Sequence, residues 1–178
     1  MMELPLQLSL LACGMLTGCA ASVVPDARPL HAEDGCVPAI GRRPEAHACQ
    51  HTEFGPFIDV SGAPDGVEPP DISYSARAFV VDTHSGVTVS YRPSRDGIHT
   101  VLFGPAPFLH ILDEQGGEVE ATPVETTDCM WFDGAYVARF AAGTRYTIRF
   151  EGDAGLEVRG FIEYLETFGE DAWARTCP

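Results

Sequence analysis

The stretch 96–119 constrains the fold most, because its apolar and polar residues alternate and glycine and proline interrupt it at fixed points. Side chains from Ile98 to Phe103 point alternately to opposite sides of an extended chain. A second apolar run, 108–112, follows Gly104-Pro105 and ends before Gly116-Gly117. Alternation closed by such residues is the signal for strands joined by tight turns. The stretch therefore predicts two short antiparallel strands.

The same pattern recurs along the chain, in 87–92, 131–140, 145–151 and 156–164. About eight strands at a spacing of roughly ten residues predict an all-β fold, an antiparallel β-sandwich that is jelly-roll-like. No stretch carries a helical stripe of apolar residues, so no helix of any length is expected. The predicted sandwich spans 45–168 and is followed by a short C-terminal tail, 169–178.

The charge of the chain excludes one class of partner. The 178 residues carry a formal net charge of −15, and every basic residue is arginine. A surface of this sign repels phosphate backbones, so nucleic-acid binding is not expected. Apolar residues make up 45% of the chain, which is enough for a packed core.

The N-terminal residues read as an export signal. The apolar run Leu4–Leu16 suits a secretory signal and is too short to span a bilayer. The last residue of this run and the next three, Leu16-Thr17-Gly18-Cys19, resemble the lipobox of bacterial lipoproteins. That resemblance implies removal of residues 1–18 and a lipid anchor on Cys19. Cleavage elsewhere, or a simple apolar N-terminus, are the alternatives.

The resemblance also implies a location. Ala20, rather than aspartate, follows the cysteine, which favours the outer membrane of the cell envelope; the periplasmic and surface faces both stay open. Residues 19–44 are rich in alanine, proline and charged residues, and their apolar residues do not recur at a regular spacing. They therefore predict a flexible tether between the anchor and the domain.

Four further cysteines follow the leader: Cys36, Cys49, Cys129 and Cys177. An even number in an exported chain predicts two disulfides, with three connectivities possible. The preferred pairing is Cys49–Cys129 within the domain and Cys36–Cys177 between its ends, because the termini of one domain often lie close together.

Three segments carry a resemblance to a domain family. They are 97–103, 108–116 (FLHILDEQG) and 142–150 (AGTRYTIRF), followed by a closing strand. This order resembles bacterial pre-peptidase C-terminal domains, small β-sandwiches attached to secreted enzymes. The resemblance covers about 85–166 and implies a non-catalytic module of a kind that in some members binds calcium or polymeric substrates. The chain departs from the family in carrying no attached protease and in placing Cys49 and Cys129.

The densest cluster of metal-ligand residues is His47, Cys49 and His51. On an extended strand these three positions share a face, so two imidazoles and a thiolate could hold a soft transition metal, with Met130 adding a thioether. The alternative is a disulfide at Cys49 and two surface histidines.

Acidic turns at 65–68, 113–114 and 151–153 supply oxygen ligands that could bind calcium. Their spacing does not follow the EF-hand pattern, and solvated loop acids are the alternative. No cofactor is otherwise expected.

Signals for catalysis are missing from the sequence, which contains no nucleophile elbow, zinc-protease helix or phosphate loop. His110 alternates with Phe108 and Leu112, so it is interpreted as a partly buried histidine rather than a general base. Trp131, Phe132 and Tyr136 fit either core packing or a carbohydrate-stacking platform.

Together these observations predict a lipid-anchored envelope protein with a non-catalytic β-sandwich that has a binding or structural role. A protein or polysaccharide partner is left open. The alternative is a periplasmic metal-binding protein that uses His47, Cys49 and His51.

Overall fold

The computed structural model describes residues 37–74, 76–105, 108–151 and 155–176. Within these ranges the chain forms eleven strands, one α-helix and one 3₁₀ segment. In chain order they are β1 (Val37–Ile40), α1 (Arg42–Phe54), β2 (Phe57–Ser61), β3 (Ala78–Asp82), β4 (Thr88–Tyr91), β5 (Gly97–Gly104), β6 (Phe108–Leu112), β7 (Ala121–Val124), β8 (Gly134–Phe140), β9 (Tyr146–Glu151), β10 (Glu157–Tyr164), the 3₁₀ segment (Leu165–Ala172) and β11 (Trp173–Thr176).

The strands form three sheets. The largest has the order β2-β3-β10-β5-β8-β7, the second β4-β9-β6, and the third is the pair β1-β11. Only β2 and β3 run parallel; the other paired strands of the described chain are antiparallel. The predicted all-β sandwich is confirmed, with more strands than the eight or so expected. Strands β1 and β11 were not predicted because their sequences, VPAI and WART, do not alternate apolar and polar residues.

The first core lies between the six-stranded and three-stranded sheets. Strand β9 supplies Tyr146, Ile148 and Phe150 to this core, as its alternation predicted, and these rings and branched chains meet Val101 and Phe103 of β5. Burying such side chains fully stabilises a fold by about 1.5–3 kcal/mol each. This core holds the two sheets face to face.

The second core lies on the opposite face of the six-stranded sheet. Leu102 of β5 and Phe161 of β10 pack there against Ala48 of helix α1 and Leu165 of the 3₁₀ segment. Strand β5 is therefore covered on both faces, and it is buried along almost its whole length. The large sheet is the middle layer of the domain.

Helix α1 contradicts the expectation that the domain has no helix and that 47–51 is extended. Its buried positions are Pro44, Glu45, Ala48 and Thr52, which have helical spacing but include a charged and two small residues. The apolar stripe is therefore too weak to recognise. Proline is tolerated in the first turn, where its missing N–H is not needed. The helix ends at Gly55, whose positive φ of 79° lets its N–H bond to the carbonyl of His51.

The ends of the described chain also differ from expectation. Strand β1 pairs with β11 in antiparallel register, with Val37 opposite Thr176 and Ile40 opposite Trp173. Residues 37–44, assigned to the tether, and 169–176, assigned to the tail, thus belong to the folded domain. Local sequence could not predict this, because the two strands are distant along the chain.

None of the helices formed by the described residues has the length and apolarity that a bilayer span would need.

Candidate ligand-binding site

The candidate site begins where strand β10 loses one neighbour. Strand β3 pairs with β10 only from Glu157 to Gly160, whereas β5 accompanies it as far as Tyr164. Residues 161–164 therefore have a strand on one side only. Residues 72–74 and 76–77, which precede β3, line a pocket of about 240 Å³ at this gap. We call it the β10 pocket.

The lining of the β10 pocket combines aromatic rings, arginines, hydroxyl groups and one buried acid. The lining residues are His47, Ile72, Ser73, Tyr74, Ala76, Arg77, Phe79, Tyr91, Arg92, Ser94, Arg95, His99, Phe161, Ile162, Glu163, Tyr164 and Thr167. Apolar walls with a few convergent polar groups are typical of small-molecule sites.

The acid in the pocket lining is Glu163, whose side chain lies on the helix side of β10 and is 11% exposed. Its Oε2 lies 2.5 Å from Nδ1 of His47 on helix α1. Burial raises the pKa of Glu163, and the hydrogen bond with His47 acts in the opposite direction. The His47 contact compensates part of the cost of burying this carboxyl group.

Two further polar groups lie beside Glu163 under the helix. Thr100 is its register partner on β5, and His51 stacks on Phe161 with the ring centroids 4.9 Å apart. Neither the Thr100 hydroxyl nor His51 Nδ1 has a hydrogen-bond partner among the described residues, although both atoms are buried. Burial, reinforced by His47, lowers the pKa of His51. The space between α1 and the sheet is therefore unusually polar.

The opposite wall is an aromatic cluster around His99. Its imidazole packs against Tyr91, Phe140 and Tyr164, with ring centroids 6.0, 5.3 and 5.0 Å away. Burial lowers the pKa of His99 and raises that of Tyr91. Both side chains are therefore neutral near pH 7, so this wall is uncharged.

The rim is positively charged, against the sign of the whole chain. Five arginines each pair with a carboxylate: Arg42, Arg43, Arg145, Arg149 and Arg159. Among the arginines whose side chains the structure describes, those that pair with no acid are Arg77, Arg92, Arg95 and Arg139. Only Arg139 of these four lies away from the β10 pocket. The pocket thus concentrates guanidinium groups that have no internal counter-ion.

Aromatic rings help to position two of these guanidinium groups. The Cζ of Arg77 lies 5.9 Å from the ring centroid of Tyr74, and that of Arg95 lies 5.6 Å from the centroid of Tyr164. Such cation–π contacts hold a cation over the ring face. Neither guanidinium group donates a hydrogen bond to a described side chain, so both groups offer N–H donors to an anion.

Helix α1, which carries His47, is fastened to the loop 125–133 by a disulfide and by a buried carboxylate, besides the exposed Arg42–Asp128 ion pair. A disulfide joins Cys49 to Cys129, the pairing that was preferred from the sequence. Glu45 is 1% exposed, and its carboxylate accepts N–H bonds from Thr127, Asp128 and Cys129 at 2.8, 2.9 and 3.1 Å. These bonds fix the helix and hence the position of His47 over the sheet.

The predicted metal cluster does not form as expected. The segment is helical, so His47 and His51 share a face with their rings 4.7 Å apart, while Cys49 is occupied by the disulfide. Met130 is 86% exposed on the loop. The described ranges contain no group of three or more His, Cys, Asp or Glu side chains placed to hold a metal ion.

The acidic turns proposed as calcium ligands are engaged by neighbours instead. Asp65 and Glu68 pair with Arg149 and Arg145, and Glu151 bonds to His110. The carboxylate of Asp113 accepts backbone N–H bonds from its own turn. Asp153 lies outside the described residues. In the described turns, the carboxylates therefore stabilise the local loop structure through ion pairs and hydrogen bonds.

The other candidate side chains do not converge on one site. Phe132 is buried in the second core, Trp131 faces the guanidinium of Arg159, and Tyr136 stacks on Phe103 of the first core. These aromatic residues therefore form no common platform.

His110 is partly exposed and bonds to two carboxylates, Glu118 and Glu151, each at 2.8 Å. Hydrogen bonds to Glu118 and Glu151, in that order, raise its pKa, which favours the imidazolium form. The two contacts link strand β6 to Glu118 and to the end of strand β9, and His110 is unsuited to accept a proton from a substrate.

Three of the cysteines for which a role is predicted, Cys19, Cys36 and Cys177, lie outside the described residues, as does the lipobox.

Comparison with known proteins adds no relative: no protein-family model matches the chain, and no curated protein matches its sequence. The resemblances to bacterial lipoproteins and to pre-peptidase C-terminal domains stay predictions.

The pocket residues could not be recognised from local sequence. Glu163 alternates with the apolar residues of its strand, and alternation alone does not show what covers the second face. Helix α1 covers it, so the polar residue is buried. The nearest available signal was the pair Arg92 and Arg95 around one turn in an acidic chain without lysine.

Proposed function

We propose that this chain is a lipid-anchored protein of the bacterial cell envelope and that its β-sandwich is a non-catalytic binding module. We place the ligand in the β10 pocket. The observation that supports this most is the concentration of Arg77, Arg92 and Arg95, which lack an acidic partner in the described chain, around one pocket with a buried acid at its base. The lipobox sequence 16–19 supports the anchor.

The contacts within the pocket favour recognition over catalysis. Among the described residues, no hydroxyl or thiol is hydrogen-bonded to a histidine, as an activated nucleophile would be. Glu163 is bound to His47, and the raised pKa of Tyr91 makes its hydroxyl a poor base at neutral pH. These groups suit hydrogen bonding to a ligand.

Binding in the pocket can be tested with a blocking variant. Ser94 is exposed on the pocket rim, so Ser94→Trp should fill the entrance without disturbing a core. Gln115→Trp, at an exposed turn elsewhere, is the matched control. We expect small anionic, neutral or cationic fragments to perturb NMR signals of the wild-type domain and of Gln115→Trp, and not those of Ser94→Trp. Fragments that bind none of the three proteins, or all three equally, contradict the proposal.

The anchor has its own test. Wild-type protein and Cys19→Ser are expressed with the full leader in a bacterial host, and the mature mass and membrane fraction are measured. We expect the wild type to begin at Cys19, to carry acyl chains and to fractionate with the outer membrane. The serine variant should lose the acyl mass. An unacylated wild type would refute the anchor and leave the binding module unaffected.

The alternative function, metal handling, would depend on His47 and His51, because the disulfide occupies Cys49. The partnerless Nδ1 of His51 beside His47 is the observation in its favour. Metal analysis of the protein after incubation with zinc or copper and dialysis tests it. One tightly held ion that is lost in His51→Phe would support this alternative.

A further inference from the structure

We infer that the β10 pocket recognises an acidic sugar residue, a hexose ring that carries a carboxylate. This inference rests on the proposed function, namely that the pocket is a ligand site. It assigns the carboxylate to the arginine rim, the ring to the aromatic walls and a ring hydroxyl to Glu163.

The rim determines the charge of the ligand. Guanidinium groups bind carboxylates through two parallel N–H bonds, and this geometry makes arginine the preferred residue for such anions. Arg77, Arg92 and Arg95 provide these donors at one entrance, in a chain whose net charge is −15. An anion is the ligand that would supply the counter-charge these groups lack within the described domain.

Nearby acids form no ion pair with the arginines of the rim, and their oxygens accept hydrogen bonds from other groups. Glu166 accepts the hydroxyl hydrogen bond of Tyr164 at 2.7 Å, and Asp71 accepts a hydrogen bond from the Ser73 hydroxyl. Asp96 accepts the backbone N–H of Ala142 at 2.7 Å. These carboxylates weaken the positive potential of the rim without forming ion pairs with its arginines.

The walls determine the shape of the ligand. Tyr74 is 57% exposed beside the pocket, and Tyr164 forms part of its lining. Tyrosine rings offer a flat apolar face together with a hydroxyl group, which suits a ligand with an apolar ring face and a polar perimeter. A pocket of about 240 Å³ accommodates a single ring of this kind rather than a long chain.

The base determines that the ligand must donate hydrogen bonds. Glu163 is buried, whereas the three arginines are exposed, and its carboxylate accepts hydrogen bonds when ionised. Its Oε2 is bound to His47, so Oε1 is the atom to which a ligand hydroxyl would donate, and an aromatic acid without hydroxyl groups would not supply that hydrogen bond. A sugar acid satisfies both ends of the pocket at once, because its hydroxyl groups donate and its carboxylate accepts.

The inference is tested by titrating the domain with three sugars that differ only at one carbon: glucuronate, glucose and glucose 6-phosphate. We expect glucuronate to bind at least about ten-fold more tightly than glucose, measured by NMR chemical-shift changes. Arg92→Ala should weaken glucuronate binding about ten-fold, and Glu163→Gln should weaken both glucuronate and glucose. Arg139→Ala removes the same charge on the exposed side of β8 and should leave binding unchanged.

Each other outcome has a defined meaning. Equal binding of glucose and glucuronate, or equal effects of Arg92→Ala and Arg139→Ala, overturns the role of the rim. Tighter binding of glucose 6-phosphate overturns the carboxylate and makes phosphate the anion. If no sugar binds while other fragments bind in a Ser94→Trp-sensitive way, this inference fails and the proposed function stands; if nothing binds, both fail.

Discussion

At the scale of single residues, Glu45 is the side chain on which the position of helix α1 depends most. It is almost fully buried, and both of its oxygens are used by the segment 127–129: Oε1 accepts three N–H groups, and Oε2 accepts the Thr127 hydroxyl at 3.0 Å. A buried carboxylate is costly unless it is fully hydrogen-bonded, and here it is. Removing it would strand three backbone donors.

We therefore predict that Glu45→Ala lowers the free energy of unfolding by about 3 kcal/mol, the cost of buried donors without acceptors. Glu45→Gln keeps one acceptor oxygen in place and should cost only roughly 1 kcal/mol. Urea unfolding at pH 7, with the disulfide intact, measures both. Equal losses for the two variants would show that the helix tolerates the loss of these bonds.

His99 gives a prediction about pH. Because burial lowers its pKa, the unfolded chain binds a proton at this position more readily than the folded protein does. His99 should therefore lower the free energy of unfolding progressively as the pH falls below 6.5, the ordinary pKa of a histidine. His99→Phe preserves the aromatic contacts with Tyr91 and Phe140 and removes the proton site.

The measurement is the free energy of unfolding of wild type and His99→Phe at several pH values between 7.5 and 5. The variant should gain stability relative to the wild type as the pH falls. The raised pKa of Glu163 has the opposite effect on how the free energy of unfolding changes with pH. It acts on both proteins, so it cancels in the difference between the variant and the wild type. A constant difference across this range would rule out the assigned role of burial.

At the scale of elements, the strands could be predicted from the sequence and the helix could not. Strand β9 is half-buried, and its apolar and polar residues alternate, so the local sequence predicts both the strand and its buried face. Helix α1 buries a proline, a carboxylate, an alanine and a threonine, so it has no apolar stripe that predicts a helix. Its contacts with the rest of the domain stabilise it instead. The β10 pocket could not be predicted either, because it depends on where β3 stops along β10.

The disulfide is the second device that fastens α1 to its loop. Cys49 and Cys129 are 80 residues apart in sequence, so the bond restricts a long segment of the unfolded chain. We predict that the double variant Cys49→Ala/Cys129→Ala loses about 2–4 kcal/mol of unfolding free energy. Urea unfolding under oxidising conditions measures the loss. An unchanged midpoint would mean that the Glu45 bonds alone hold the helix.

At the scale of the whole molecule, the pairing of β1 with β11 joins the two ends of the domain. Val37 lies opposite Thr176, and in sequence Cys36 precedes the first and Cys177 follows the second. This register supports the Cys36–Cys177 disulfide predicted from the sequence, although both cysteines lie outside the described residues.

The exported protein should accordingly contain two disulfides, and full reduction should add two hydrogen masses for each, about four in total. Intact-mass spectrometry before and after reduction measures this. Cys36→Ser should gain only the two hydrogens of the Cys49–Cys129 bond and should retain one free thiol at Cys177. A wild-type gain of about two hydrogens would show that the end-to-end bond is absent.

The early end of β3 has a consequence for how this domain could diversify. One side of the β10 pocket is formed by residues 72–74 and 76–77, and of these described residues only Ile72 belongs to a core. Insertions or exchanges after Ile72 would reshape the cavity while leaving the two sheets and their packing untouched. Loop exchange therefore offers a route to new ligand preferences on the same scaffold, and chains with this architecture need not share a ligand.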